Sequence, residues 1–294
     1  GDYSVNTRYD GQSSIRANIM PNSNLQWEES KTFDLGFDIS FLKRRINLIA
    51  DYYVRNTDNL LTNVSLPPSS GYSSLLTNLG SLQNKGFEVE LQANVLKPAS
   101  DLQWVVGVTA GYTKGIITKL PENGVENNRI GGYNVWDADK GEYVWKGGLQ
   151  ESGRVGDFYG YKFLGVYATD AEAANSGILD SHGSSTNKTR YGGDGYFQDT
   201  DGNKIINTLD YVYMGNTYPT WNGGLSSSLS FKNLSLYTRL DFTTGHIIEN
   251  YAKWFVNGHQ QGDGLPYQSY IDKMWKEQGD ITDVPRYVRH DAAG

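Results

Sequence analysis

Apolar and polar residues alternate with a period of two along six stretches of the chain, the pattern of extended strands with one oily and one polar face. In the first, Phe33, Leu35, Phe37, Ile39 and Phe41 oppose Thr32, Asp34, Gly36, Asp38 and Ser40. After Lys43, Arg44 and Arg45 the chain returns with Ile46, Leu48, Ala50, Tyr52 and Val54 on the oily face and Asp51 on the other. A second pair begins with Phe87, Val89, Leu91, Ala93 and Val95, which alternate with Glu88, Glu90, Gln92 and Asn94. It returns, after a break from Lys97 to Asp101, with Leu102, Trp104, Val106, Val108, Ala110 and Tyr112. In the third pair, Leu225, Leu229 and Phe231 oppose Ser226, Ser228 and Ser230. After Lys232 and Asn233, Leu234, Leu236, Leu240 and Phe242 oppose Ser235, Tyr237, Arg239 and Asp241. Three β-hairpins are predicted.

The connections alternate strictly in length. Turns inside the hairpins are short, whereas the loops from Asn56 to Lys85 and from Lys114 to Asn222 hold roughly 30 and 100 residues. Compact soluble domains seldom carry loops of that length, while transmembrane barrels have short turns on one side and long loops on the other. A soluble β-sandwich with inserted loops is the alternative. Charge separates the two. A Lys or Arg facing lipid near the bilayer midplane costs about 2 to 4 kcal/mol, and none of the six apolar stripes contains Asp, Glu, Lys or Arg. Asp34, Asp38, Asp51, Glu88, Glu90, Arg239 and Asp241 all fall on the opposite faces, where a barrel would have its lumen. The prediction is an all-β chain that forms part of a large antiparallel transmembrane β-barrel with long extracellular loops, residues 1–294 lying within that one barrel domain.

Composition agrees without deciding the matter. With 38% hydrophobic residues and no long apolar run, no transmembrane helix is expected, but barrel strands need only every second residue apolar. A net charge of −7 with scattered Lys and Arg argues against nucleic acid as a partner. The absence of cysteine removes disulfides and thiolate metal sites. No charged segment followed by an apolar one stands at Gly1, so no signal peptide is expected within the chain. The 21 Tyr and 7 Trp suit aromatic girdles or sugar-stacking surfaces.

The sharpest local motif is DTDGNKIINTLD, Asp199 to Asp210. Counting from Asp199, side-chain oxygens fall at positions 1, 3 and 5 (Asp199, Asp201, Asn203), a backbone carbonyl at 7 (Ile205) and a carboxylate at 12 (Asp210), the spacing of a Ca²⁺ loop of the EF-hand kind. Lys204 stands where the turn prefers Gly, and Asp210 is shorter than the usual Glu. The alternative is a polar turn built on Asp and Asn. Either role is structural. Catalysis finds no support: His182, His246, His259 and His290 lack metalloprotease spacing, and no nucleophile elbow or phosphate-binding loop occurs. Glu88 and Glu90 could be offered as a glycosidase pair, but an i, i+2 pair on a strand reads more simply as a wet face. The aromatic residues Tyr133, Trp136, Tyr143 and Trp145, with Phe158, Tyr159 and Tyr161 nearby, suit either sugar or peptide stacking or packing of the loop itself or against a partner protein.

Four segments together resemble the SusC/RagA family of TonB-dependent outer-membrane transporters of the Bacteroidetes: Asn22 to Leu61 (NSNLQWEESKTFDLGFDISFLKRRINLIADYYVRNTDNLL), Leu66 to Leu91 (LPPSSGYSSLLTNLGSLQNKGFEVEL), Phe158 to Ala173 (FYGYKFLGVYATDAEA) and Phe197 to Phe242, which opens FQDTDGNKIINTLD. MWKEQGDITDVPRY, Met274 to Tyr287, is similar to a late loop of the family. The resemblance implies import of oligomeric nutrients, glycans or peptides, across a bacterial outer membrane. It implies a SusD-like surface lipoprotein as partner, TonB acting through a region N-terminal to this chain, and no enzymatic activity. Plug and final strands typical of relatives are not seen, so the chain is expected to be a fragment from the C-terminal half, with a further gap near Ser14 and Ile15. Two rivals are a TonB-dependent siderophore or vitamin receptor and a soluble glycan-binding β protein.

Overall fold

All six predicted strands form and belong to one antiparallel sheet. In the computed structural model, which describes residues 3–9, 12–17, 19–66, 68–78, 80–97, 99–181, 188–256 and 266–287, these strands are β1 (Glu29–Phe41), β2 (Ile46–Asp58), β3 (Ser81–Asn94), β4 (Leu102–Lys119), β5 (Trp221–Phe231) and β6 (Leu234–Thr244). Each pairs with its sequence neighbour, so the sheet order is the chain order. Residues 42–44 turn the first hairpin with φ of 52°, 58° and 65°. The Arg45 guanidinium then ties that turn to its neighbour by donating to the carbonyls of Asn94 and Val95.

The register carries the predicted faces across the sheet. Leu35, Tyr52, Phe87, Tyr112 and Trp221 stand in one cross-strand row, and Asp51, Glu88, Gly111 and Asn222 in another on the opposite face. Between its aromatic rows the sheet stays open on both faces among the described residues. Phe33, Leu35, Leu234, Leu236 and Leu240 are each more than 60% exposed, a density of oily surface that water would punish. Trp221 and Phe231 bound that surface on one strand. Ten residues at about 3.3 Å each, tilted by about 40°, span about 25 Å, the height of a barrel's lipid-facing band.

The strands outrun their predicted ends: β3 starts at Ser81 rather than Phe87, and β4 runs to Lys119 beyond Tyr112. Both predicted long loops shorten accordingly. Alternation fades there because both faces are polar or mixed, but pairing is made by the backbone and continues, Gln83 opposite Ile116 and Asn84 opposite Gly115. The predicted gap near Ser14 and Ile15 falls inside a strand, Gln12–Ala17, paired with Tyr3–Tyr9.

The chain divides into two units. The sheet belongs to Gly1–Ile130, Leu149–Val155 and Tyr218–His246; the other unit is Gly131–Gly148, Gly156–Thr217 and Ile247–Gly294. The second unit, expected as loop, has its own architecture. Tyr133–Asp137 pairs with Glu142–Lys146, Asp157–Gly160 with Val212–Asn216, and Phe163–Val166 with Gly195–Phe197. A helix, Asp170–Ser176, starts at a Thr169 cap and ends on Gly177 in the left-handed conformation. Val135, Tyr167, Ala173 and Ile206 are buried in this unit, together with Asp180, Asp194, Asp210 and Asn216. Among the described residues it therefore holds most of the buried core, and the sheet holds almost none.

Within that unit a late segment closes over an earlier one. Trp275 Nε1 and the Gly279 amide both donate to the Ala168 carbonyl, at 3.1 and 2.9 Å. Gln278 Oε1 accepts from the Asp170 amide at 2.8 Å, and Arg286 Nε reaches Asp194 Oδ1 at 2.7 Å. The predicted late loop is thus a clasp on the helix start and the turn at 191–194.

Candidate functional site

Two places hold the residues singled out in the sequence, one on the sheet and one in the second unit. On the sheet, all seven predicted lumen residues share the polar face. Asp51 stands opposite Glu88, and Asp38, Glu90 and Asp241 lie on the next row, with Ile49, Thr109 and Gly224 between them. Asp34 lies opposite Tyr53, one row beyond Asp51. Arg239 pairs with Asp241 two residues along its own strand, at 2.9 Å. Asp51, Glu88, Glu90, Thr109, Gly111 and Asn222 line a shallow recess. Asp51 and Glu88 directly opposed repel one another unless water or a cation stands between them, so this face is a polar, negatively charged surface.

Sequence reading misses one device there. Tyr53 hydrogen-bonds Thr113 across Gly86, whose absent side chain makes the crossing: a Cβ on Gly86 would lie 2.8 Å from Tyr53 Oη and 2.1 Å from the Tyr112 carbonyl. The flank of Gly86 on the polar face, between two residues 60 apart in sequence, was the only available signal.

In the second unit the 199–210 motif folds into a tight loop. Oxygens of Asp199, Asp201 and Asp210 come within 4.8 Å of one another. Lys204 takes a φ of 64°, the left-handed turn for which Gly is preferred, so the substitution is accommodated at a cost in backbone strain. The carboxylates are held by the loop's own amides: Asp199 accepts from Gly202 and Lys204, Asp201 from Asn203, and Asp210 from Thr200 and Asn207. Asp210 is wholly buried and closes a capping box with Asn207. Burial pushes its carboxyl up from the usual range, Asp201 and Asp199 add to this, and the two amides oppose it. Asn203 is turned to its own loop, accepting from the Ile205 amide at 2.7 Å, and Ile205 pairs with Leu179. The structure gathers three carboxylates of the predicted set rather than all five residues. Hard oxygens at that separation suit a divalent cation.

The predicted aromatic residues pack within their unit. Tyr133 meets Tyr211 edge-on at 4.6 Å, Trp136 meets Tyr143 at 5.0 Å, and Tyr161 joins Tyr211 at 4.5 Å. Trp145 Nε1 donates to the Gly131 carbonyl. Tyr143 also donates to Asp201, and that bond pushes its phenol up to about 12. The aromatic hairpin and the acidic loop are therefore one assembly, a link 58 residues long that spacing could not reveal. Tyr133 and Tyr143 stay about two-fifths exposed, leaving ring edges for a partner or ligand.

Comparison with known proteins places these features. Residues 2–293 match the family model described as TonB dependent receptor-like, beta-barrel. The chain is 31% identical over 273 residues to TonB-dependent receptor P3 of Formosa agariphila, covering 90% of this chain and 25% of that protein. It is 36% identical over 100 residues to TonB-dependent receptor SusC of Bacteroides thetaiotaomicron, covering 34% of this chain and 10% of that one. Among solved structures it superposes on the RagAB peptide importer in its "open-open" state with a TM-score of 0.66 at 21% identity, over 98% of this chain and 28% of that chain. The chain spans about a quarter of the length of the relatives that it matches along most of its own length.

Proposed function

Because the chain belongs to the family of TonB-dependent receptor-like β-barrels, we propose that it is wall and loop of an outer-membrane importer of oligomeric nutrients, glycans or peptides. The whole importer works with a SusD-like surface lipoprotein and draws energy through TonB. One observation carries this reading: a six-stranded antiparallel sheet whose one face is free of charge over the band between its aromatic residues and open among the described residues, and whose other face is carboxylate-rich. A substrate path needs only a wet wall and a selective mouth, and neither calls for catalysis. The fold shared with the RagAB peptide importer supports an oligomeric substrate. Affinity purification of the full-length protein from outer membranes tests it, and a surface lipoprotein is expected to co-purify in near-equal amount. A detergent-extracted barrel that reproducibly purifies alone would favour a siderophore or vitamin receptor, and extraction without detergent would sink the membrane reading altogether.

We also propose that the loop 199–210 holds Ca²⁺ as a structural ion. Asp199, Asp201 and Asp210 would supply its anionic oxygens, and the ion would offset their mutual repulsion and the burial of Asp210. Isothermal titration with CaCl₂ is expected to show one site in the full-length protein and at least a tenfold loss of affinity in Asp201→Ala. Equal Ca²⁺ uptake by that variant, with loop proteolysis indifferent to chelation, would end the proposal.

A further inference from the structure

Two lysines on the oily side of the sheet have no counterpart in the wall. Lys85 and Lys114 occupy directly opposed positions on β3 and β4, and the register there is unbroken down to Phe87 and Tyr112 two residues on. Side chains on a strand alternate, so both lysines share the face of Phe87 and Tyr112. Those two rings and Trp221 form a cluster with centroids 5.1 to 5.7 Å apart. The lysines thus stand just beyond the aromatic edge of the lipid-facing band, about 5 Å further along the barrel axis for two residues of tilted strand. That is the depth of lipid headgroups.

Opposed like charges on neighbouring strands destabilise a sheet. Neither ammonium has a hydrogen-bond or ion-pair partner among the described residues, and both side chains are half-buried. Their row offers Val54 and Phe33, and the next row Gln83, Asn56 and Ile116, none of them anionic. The acids on this face, Glu29 and Asp58, stand two rows further out, and Glu29 is paired with Lys31 at 3.2 Å. The compensating anion must come from outside the wall.

We propose that Lys85 and Lys114 grip the phosphate of an anionic lipid in the outer leaflet. This inference rests on the membrane-barrel reading above. One phosphate can accept charge-assisted hydrogen bonds from both ammonium groups. Its acyl chains then lie along the charge-free stripe of Val89, Leu91, Val108 and Ala110, so lipid rather than free phosphate is the matching ligand.

The test uses the full-length protein in detergent micelles with a defined amount of lipid A, read by native mass spectrometry for bound lipid. One phosphorylated lipid is expected to stay bound, and its retention should fall at least fivefold in the Lys85→Gln/Lys114→Gln double variant. Lys85→Arg/Lys114→Arg should restore it, and dephosphorylated lipid A should not be retained. Unchanged retention in the glutamine variant would overturn the proposal, as would displacement of the lipid by millimolar inorganic phosphate. Heat-modifiable gel migration reports barrel folding separately. A protein that needs no detergent sinks the membrane reading, whereas a folded barrel with unchanged lipid sinks the lysine grip alone.

Discussion

Gly86 concentrates the chemistry of the wall at the scale of one residue. Its missing side chain leaves the path by which Tyr53 reaches Thr113, and the sheet at that point is tied by side chains as well as by backbone. Gly86→Ala puts a methyl against the Tyr112 carbonyl and the Tyr53 hydroxyl, an overpacking expected to cost about 1 to 3 kcal/mol. Urea unfolding in micelles, followed by tryptophan fluorescence, should register the loss. Tyr53→Phe should cost less, because it removes the bond without forcing the strands apart, and equal stability of Gly86→Ala and the parent would refute this account of the glycine. Residue spacing made the three carboxylates of the 199–210 loop legible, since their geometry is local. It could not reveal Tyr143 as the donor to Asp201 or Lys85 as the neighbour of Lys114, because both depend on which distant segments pair.

Among the elements, the clasp formed by residues 274–286 is the most exposed to test. Arg286 meets a nearly buried Asp194, which also accepts from the Tyr191 amide. Removing the arginine leaves that carboxylate short of a partner, a loss of about 1 to 3 kcal/mol to the closed segment. Arg286→Ala should therefore speed proteolysis after Lys273 or Lys276 while leaving the barrel folded. Acid gives a second handle. The Gly192 amide, and then Gln278, hold the Asp170 carboxyl below its ordinary value of 3.8, and the amides of Lys276 and Glu277 do the same for Asp280. Carboxyls lowered by folding stabilise it above their unfolded value and lose that contribution as pH falls through the folded one. Clasp protection should thus be full at pH 5 to 7 and begin to weaken only below about pH 3.8; release already at pH 6 would contradict this origin. The six long strands were readable because alternation persists over nine or more residues in most of them. The second unit was not, because its strands hold two to five residues and its core is assembled from helix, turn and clasp rather than from a repeating face.

For the whole molecule, the question is which face of the sheet meets lipid. Exposure cannot answer it, since along the band both faces stay open among the described residues, and the family supplies an expectation that the wall itself can be made to report. Leu225 and Ser226 are adjacent on β5, near the middle of the span between Trp221 and Phe231, and point to opposite sides. If the oily face is buried in hydrocarbon, Leu225→Arg puts an uncompensated cation near the midplane at a cost of about 2 to 4 kcal/mol. Ser226→Arg puts the same charge beside Arg239, on a face whose Asp38, Glu90 and Asp241 can balance it in water, so its cost should stay below about 1 kcal/mol. Unfolding both variants in lipid vesicles separates the faces by the difference, which does not depend on how well either arginine packs against protein. Equal penalties would mean that water reaches both sides, and the sheet would then belong to a soluble sandwich whose second layer lies elsewhere. A larger penalty for Ser226→Arg would turn the wall inside out. With the expected order, the carboxylates of β1, β2 and β3 face the aqueous path, and Glu88→Gln with Glu90→Gln should then lower the cation preference of currents through the plug-deleted barrel in planar bilayers.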